Sequence, residues 1–127
     1  MSAIEHFAIY ADAVVALKDF YVDAFALRVA LDNGAGDPPG YFLVDDAGLA
    51  LELIGRPAGT AAVNPRWAYH LCFWTDDFAA SEAALAARGI VFEPDTRVDR
   101  ADMKTSFFAD PAGNRCQIVW RARRIGE

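Results

Sequence analysis

His6, Glu52, His70 and Gln117 are polar side chains set in apolar, strand-like runs, and they recur at an almost fixed interval. His6 lies in Ile4-Glu5-His6-Phe7-Ala8-Ile9-Tyr10, and His70 lies 64 residues further on in Ala68-Tyr69-His70-Leu71-Cys72-Phe73-Trp74. Glu52 lies in Leu49-Ala50-Leu51-Glu52-Leu53-Ile54, and Gln117 follows at an interval of 65 in Arg115-Cys116-Gln117-Ile118-Val119-Trp120. Asp12 and Asp76 also repeat at 64. Neutral imidazole and carboxylate together suit zinc, nickel, iron, cobalt or manganese, with an amide oxygen as a weaker fourth donor. A lone histidine on an apolar strand is ordinarily a hydrogen-bonded core residue. The matched intervals are what make these four read as a built site. Glu52 adds a separate argument, because a glutamate on an inward strand face is costly to bury without a cation. Gln117 also has a second reading, as a structural amide bonding across strands.

The elements that must carry these residues repeat as well. Residues 4–10 alternate as a strand, and Val15–Ala26 then switches to helical spacing, with Leu17, Phe20, Tyr21 and Ala24 on one face. Leu27–Leu31 reads as a second strand, and residues 32–40, rich in Gly, Pro and Asp, as a loop. Tyr41–Val44 and Leu49–Ile54 form a hairpin across residues 45–48. The aperiodic stretch from Gly55 reads as a linker, over residues 55–67. The second half gives a strand at Ala68–Thr75, a helix from Phe78 to about Arg88 capped by Gly89, and an extended run near Val91–Glu93. A loop over residues 94–102 follows, then strands Lys104–Ala109 and Arg115–Arg121 about the turn at residues 110–114. Alternation puts His6 on one strand face with Ala8 and Tyr10, leaving Phe7 and Ile9 to pack under the helix. It likewise groups His70 with Cys72 and Trp74, Glu52 with Ala50 and Ile54, and Gln117 with Arg115 and Val119. Tyr10 and Trp74 are therefore the candidate substrate-binding aromatics, with plain core packing as their other reading.

A chain of 127 residues has room for one domain. Two modules, about 1–54 and 68–121, make up that single domain in this reading. With 54% hydrophobic and 24% charged residues it has the composition of an ordinary globular protein. A net charge of −6 argues against a nucleic-acid or acidic-membrane surface. No apolar run is long enough to span a membrane and the N-terminus lacks a signal-peptide pattern, so the expected setting is cytoplasmic. Cys72 and Cys116 are expected as buried, reduced thiols.

On these residues the chain resembles the vicinal oxygen chelate superfamily, which includes glyoxalase I, extradiol dioxygenases and bleomycin and fosfomycin resistance proteins. The resemblance is carried by His6, by Asp19-Phe20-Tyr21 through Leu27, by Leu51-Glu52-Leu53, by His70 and by Asp110-Pro111-Ala112-Gly113-Asn114. It implies an α+β fold of two βαβββ modules forming an incomplete barrel around a shared cavity, commonly as a homodimer. It also places His6, Glu52, His70 and Gln117 on the four metal-ligand positions. Gln117 departs from the pattern, because glyoxalase I carries there a glutamate that moves a proton, and an amide cannot. The dioxygenases carry there their only ligating carboxylate, so a dioxygenase ranks third. The first expectation is a metal-dependent lyase or isomerase acting on a small oxygenated carbonyl compound or its thiol conjugate, with Glu52 as the catalytic base. The net positive charge of two histidines, one carboxylate and a divalent cation would favour an anionic ligand. The alternative is a non-catalytic small-molecule-binding protein resembling bleomycin resistance proteins.

Overall fold

The structure is a computed structural model that describes residues 4–60 and 65–127. Apolar alternation in the first run becomes β1 (His6–Ala11), whose Ile9 and Ala11 are buried while His6 and Tyr10 are not. Helical spacing gives α1 (Val14–Phe25), with Val14, Leu17 and Tyr21 forming the buried stripe. Ala26 ends that helix in the left-handed region at φ 54°, and its N–H bonds Tyr21 O. β2 (Arg28–Asn33), β3 (Gly40–Val44) and β4 (Ala50–Gly55) complete the sheet, in the order β1-β4-β3-β2. The β3–β4 turn closes on Gly48 at φ +88°, while Asp45 Oδ1 accepts from Leu49 N at 3.0 Å. Tyr21, Leu43 and Leu53 are fully buried between helix and sheet.

The second half repeats this plan. α2 (Pro65–Ala68) is one helical turn, followed by β5 (Leu71–Trp74) and α3 (Phe78–Ala87). Asp77 caps α3 by accepting from Ala80 N at 3.0 Å, and Gly89 at φ +87° terminates it. β6 (Val98–Asp99), β7 (Met103–Ala109) and β8 (Arg115–Arg121) build the sheet β5-β8-β7-β6 around Phe108, Cys116 and Ile118. In both sheets the first strand pairs parallel with the last, while the other pairings are antiparallel. The chain thus forms two compact units, residues 1–62 and 63–127, each an open four-stranded sheet with its helices. No described helix is long and apolar enough to cross a membrane.

Several boundaries differ from expectation, each for a local reason. The apolar run from Ala68 does not enter the sheet until Leu71, so His70 stands just ahead of β5 rather than within it. Pro65, pre-set for a helical first turn, opens α2 instead, and Arg115 Nη1 donates to Arg66 O at 3.0 Å to hold that turn. The run near Val91–Glu93 makes only an isolated bridge, Phe92 to Phe108, because Pro94 follows directly and Glu93 turns its carboxylate to Arg115. The short strand β6 falls instead inside the segment read as loop. Cys72 is exposed, since it stands on the face of β5 away from α3; only Cys116 is a buried thiol. Phe7 is 40% exposed, so the burial on that face of β1 comes from Ile9 and Ala11. Of the expected linker, Gly55 belongs to β4, residues 65–67 to α2, and residues 61–64 lie outside the described residues.

The turn before β8 is held by one buried side chain. Asp110 Oδ1 accepts from Ala112 N and Asn114 N, both at 2.9 Å, and both its oxygens accept from Asn114 Nδ2. Asn114 Oδ1 in turn accepts from Tyr69 O–H at 2.6 Å, fixing the residue next to His70. Asp110→Ala leaves buried N–H groups without an acceptor and is expected to destabilise the protein by about 2–3 kcal/mol in urea unfolding.

Candidate functional site

In the first unit, pairing sets Ala8 opposite Glu52, so His6 and Glu52 share a face one step apart along the ladder. His6 Nε2 lies 3.6 Å from Glu52 Oε2, with both side chains partly covered. The other ring nitrogen, Nδ1, is 2.9 Å from Glu5 Oε1. A neutral imidazole donating through Nδ1 carries its lone pair at Nε2. A lone pair facing a carboxylate is favourable only with a cation or a proton between them. A carboxylate on the second ring nitrogen is also the usual outer support of a metal-ligating histidine. On donor chemistry, therefore, His6 and Glu52 fit two positions around a divalent metal.

The second unit answers with the same frame and different chemistry. Cys72 stands opposite Gln117, as Ala8 does opposite Glu52. Gln117 Nε2 donates to Thr105 Oγ1, whose own proton goes to Ile118 O at 2.9 Å. Among the described residues neither Gln117 Oε1 nor the ring nitrogens of His70 have a protein partner. The cross-strand amide is thus realised in full, and it leaves the amide oxygen unused. Arg115, on the same strand face, is buried. Its guanidinium stacks on the Phe107 ring at 3.9 Å and meets Glu93 at 2.8 and 3.0 Å.

One feature was missed from sequence. Each histidine ring meets a phenylalanine edge-on: His6 with Phe42 at 5.3 Å and 85°, His70 with Phe107 at 5.1 Å and 82°. Phe42 is the β3 partner of Glu52, and Phe107 the β7 partner of Gln117. The two phenylalanines are 65 residues apart, the interval of the Glu52–Gln117 pair. Extending the repeat beyond titratable residues would have found them.

A cleft of about 350 Å³ opens beside Glu52, lined also by Leu31, Asn33, Asp37, Phe42 and Ile54. Asn33 and Asp37 carry no periodic signal, standing at and just beyond the end of β2. Tyr10 is 51% exposed on the His6 face and pairs with Ile54. Trp74 is already engaged, its indole N–H donating to Asp76 Oδ1 at 2.9 Å and its face covered by Arg124 at 4.3 Å. The structure brings His6 and Glu52 together; among the described residues no group of three or more His, Cys, Asp or Glu is gathered as a metal cage.

The family description "Glyoxalase/Bleomycin resistance protein/Dioxygenase superfamily" matches residues 3–118. The structure is similar to a lactoylglutathione lyase from Agrobacterium tumefaciens, with 25% identity, TM-score 0.68, and 94% of this chain and 93% of that chain covered. It is similar to TnmS3, an antibiotic-binding protein from Streptomyces sp. CB03234, with 21% identity, TM-score 0.74, and coverages of 96% and 98%. It is also similar to the fosfomycin resistance protein FosX from Listeria monocytogenes, with 12% identity, TM-score 0.76, and coverages of 98% and 94%. No curated protein matches the sequence.

The support beneath His70 has a pH signature. Hydrogen bonds from Arg115 hold the Glu93 carboxyl below its ordinary value of 4.5, helped by Thr96 and the charge of Arg66 and against partial burial. A depressed folded pKa contributes stability in full above the unfolded value and loses it as pH falls through the lower, folded one. Unfolding measured between about pH 5 and 2 should therefore show an acid limb that Glu93→Gln flattens, with a lower plateau at neutral pH.

Proposed function

The chain belongs to the Glyoxalase/Bleomycin resistance protein/Dioxygenase superfamily, and on that premise we propose that it is a metal-dependent lyase or isomerase whose His6, Glu52, His70 and Gln117 hold a divalent cation. The observation that carries this reading is the approach of His6 Nε2 to Glu52 Oε2 at 3.6 Å, with Glu5 on the far nitrogen. A bound cation supplies charge stabilisation to neighbouring substrate oxygens as negative charge develops. Glu52 is the sole carboxylate among the four, so it takes the proton from the substrate carbon and returns it. Gln117 holds its position without titrating. Phe42 and the cleft beside Glu52 shield the reacting carbon from water, and Asn33 and Asp37 offer acceptors to substrate hydroxyl groups. The substrate class is a small oxygenated carbonyl compound or its thiol conjugate, a choice supported by the likeness to a lactoylglutathione lyase.

A second reading, ligand binding without chemistry, is favoured by the hydrogen-bonded neutral amide at Gln117 and the likeness to an antibiotic-binding protein. The two separate in one experiment. Cobalt added to the metal-stripped protein should give a saturable visible absorption and raise the thermal midpoint, and His6→Ala should lose both. Cobalt-loaded wild type should then exchange solvent deuterium into a panel of 2-oxo compounds and thiohemiacetals, slowed about 10²–10⁴-fold by Glu52→Gln. Exchange unaffected by Glu52→Gln removes Glu52 as the base. Absence of both cobalt binding and exchange leaves the binding protein.

A further inference from the structure

The two units differ most where the last strand meets its neighbour. Thr105 is 3% exposed, and its hydroxyl proton is committed to Ile118 O. Its lone pairs are all it can offer Gln117, so the amide must turn its nitrogen to Thr105. In the first unit the corresponding position is Gly40, which pairs with Ile54 as Thr105 pairs with Val119. A Cβ built on Gly40 would sit 3.1 Å from Leu53 O, so that position is tight for any side chain and Glu52 meets no hydroxyl there. A carboxylate at position 117 would face a lone pair instead of a proton, unless Thr105 gave up its bond to Ile118.

We propose that Thr105 is the residue that specifies an uncharged amide at position 117 and fixes its orientation, leaving Oε1 as the single donor atom available to a ligand. Thr105 is a positioning residue, and the consequence for metal affinity rests on the proposed function above. The pairing explains why a site with glutamate on one last strand carries glutamine on the other. It also means that Gln117→Glu alone does not restore a second carboxylate, because Thr105 still opposes one.

The test is a double-mutant cycle on thermal midpoints over wild type, Thr105→Ala, Gln117→Glu and Thr105→Ala/Gln117→Glu, with Thr105→Ser as the conservative variant. In wild type, one proton of the Gln117 side-chain amide should exchange slowly by NMR. That protection should persist in Thr105→Ser and vanish in Thr105→Ala. Gln117→Glu should lower the midpoint when Thr105 is present and cost little when it is added to Thr105→Ala. Equal losses in both backgrounds, or an amide signal unchanged in Thr105→Ala, would overturn the proposal. Cobalt affinity should fall about 10–100-fold in Thr105→Ala, the usual effect of losing an outer support, and recover in the double variant. Coupled midpoints in a wild type that binds no cobalt would uphold the pairing and overturn the metal reading instead.

Discussion

Parallel pairing of the first strand with the last, made once in each unit, is the constraint on which the site depends. It sets Ala8 against Glu52 and Cys72 against Gln117. A slip of one residue would turn Glu52 or Gln117 toward the helix and bring Leu51 or Cys116 to the other face. That slip is blocked by burial: Leu53, Cys116 and Ile118 are nearly inaccessible, and each would have to exchange places with a polar neighbour. The apolar face beneath the helix thus fixes the polar face opposite. The edge-on histidine–phenylalanine pairs follow, since Phe42 and Phe107 are the next-strand partners of Glu52 and Gln117.

Within this repeated frame the chemistry is uneven. The first unit concentrates negative charge, with Glu5 and Glu52 on either side of His6 and Asp37 in the adjoining cleft. In the second unit Tyr69 stands where Glu5 does, bonded to Asn114, and Gln117 replaces the carboxylate. Its one buried cation on that face, Arg115, is neutralised by Glu93 and used to hold the turn before His70. One unit sets a carboxylate beside its histidine. The other sets an amide at the equivalent strand position. That difference is what the proposed role of Glu52 in proton transfer rests on.

Much of this was legible in the sequence, and the reasons are specific. Strand alternation correctly separated Leu51 and Leu53 from Glu52, and Cys116 and Ile118 from Gln117, because a sheet with one buried face imposes a period of two. The Gly48 and Asp110 turns were legible for the same kind of reason, since their backbones demand particular residues. His70 was placed inside its strand because Trp67-Ala68-Tyr69 is apolar; what bends that segment is Arg115, 49 residues away from Arg66 in the chain. The isolated bridge at Phe92 and the strand at Val98–Asp99 were likewise decided by tertiary partners. Thr105 could not be found from composition or periodicity. Its meaning lies in where its proton goes.

The central proposal is that His6, Glu52, His70 and Gln117 hold one cation. X-ray absorption at the metal edge of the cobalt-loaded protein measures this directly, because imidazole scattering counts histidines around the metal. The account predicts two imidazoles with oxygen donors and no sulfur. A spectrum with one imidazole in the wild type, or with a sulfur donor from Cys72, would contradict it.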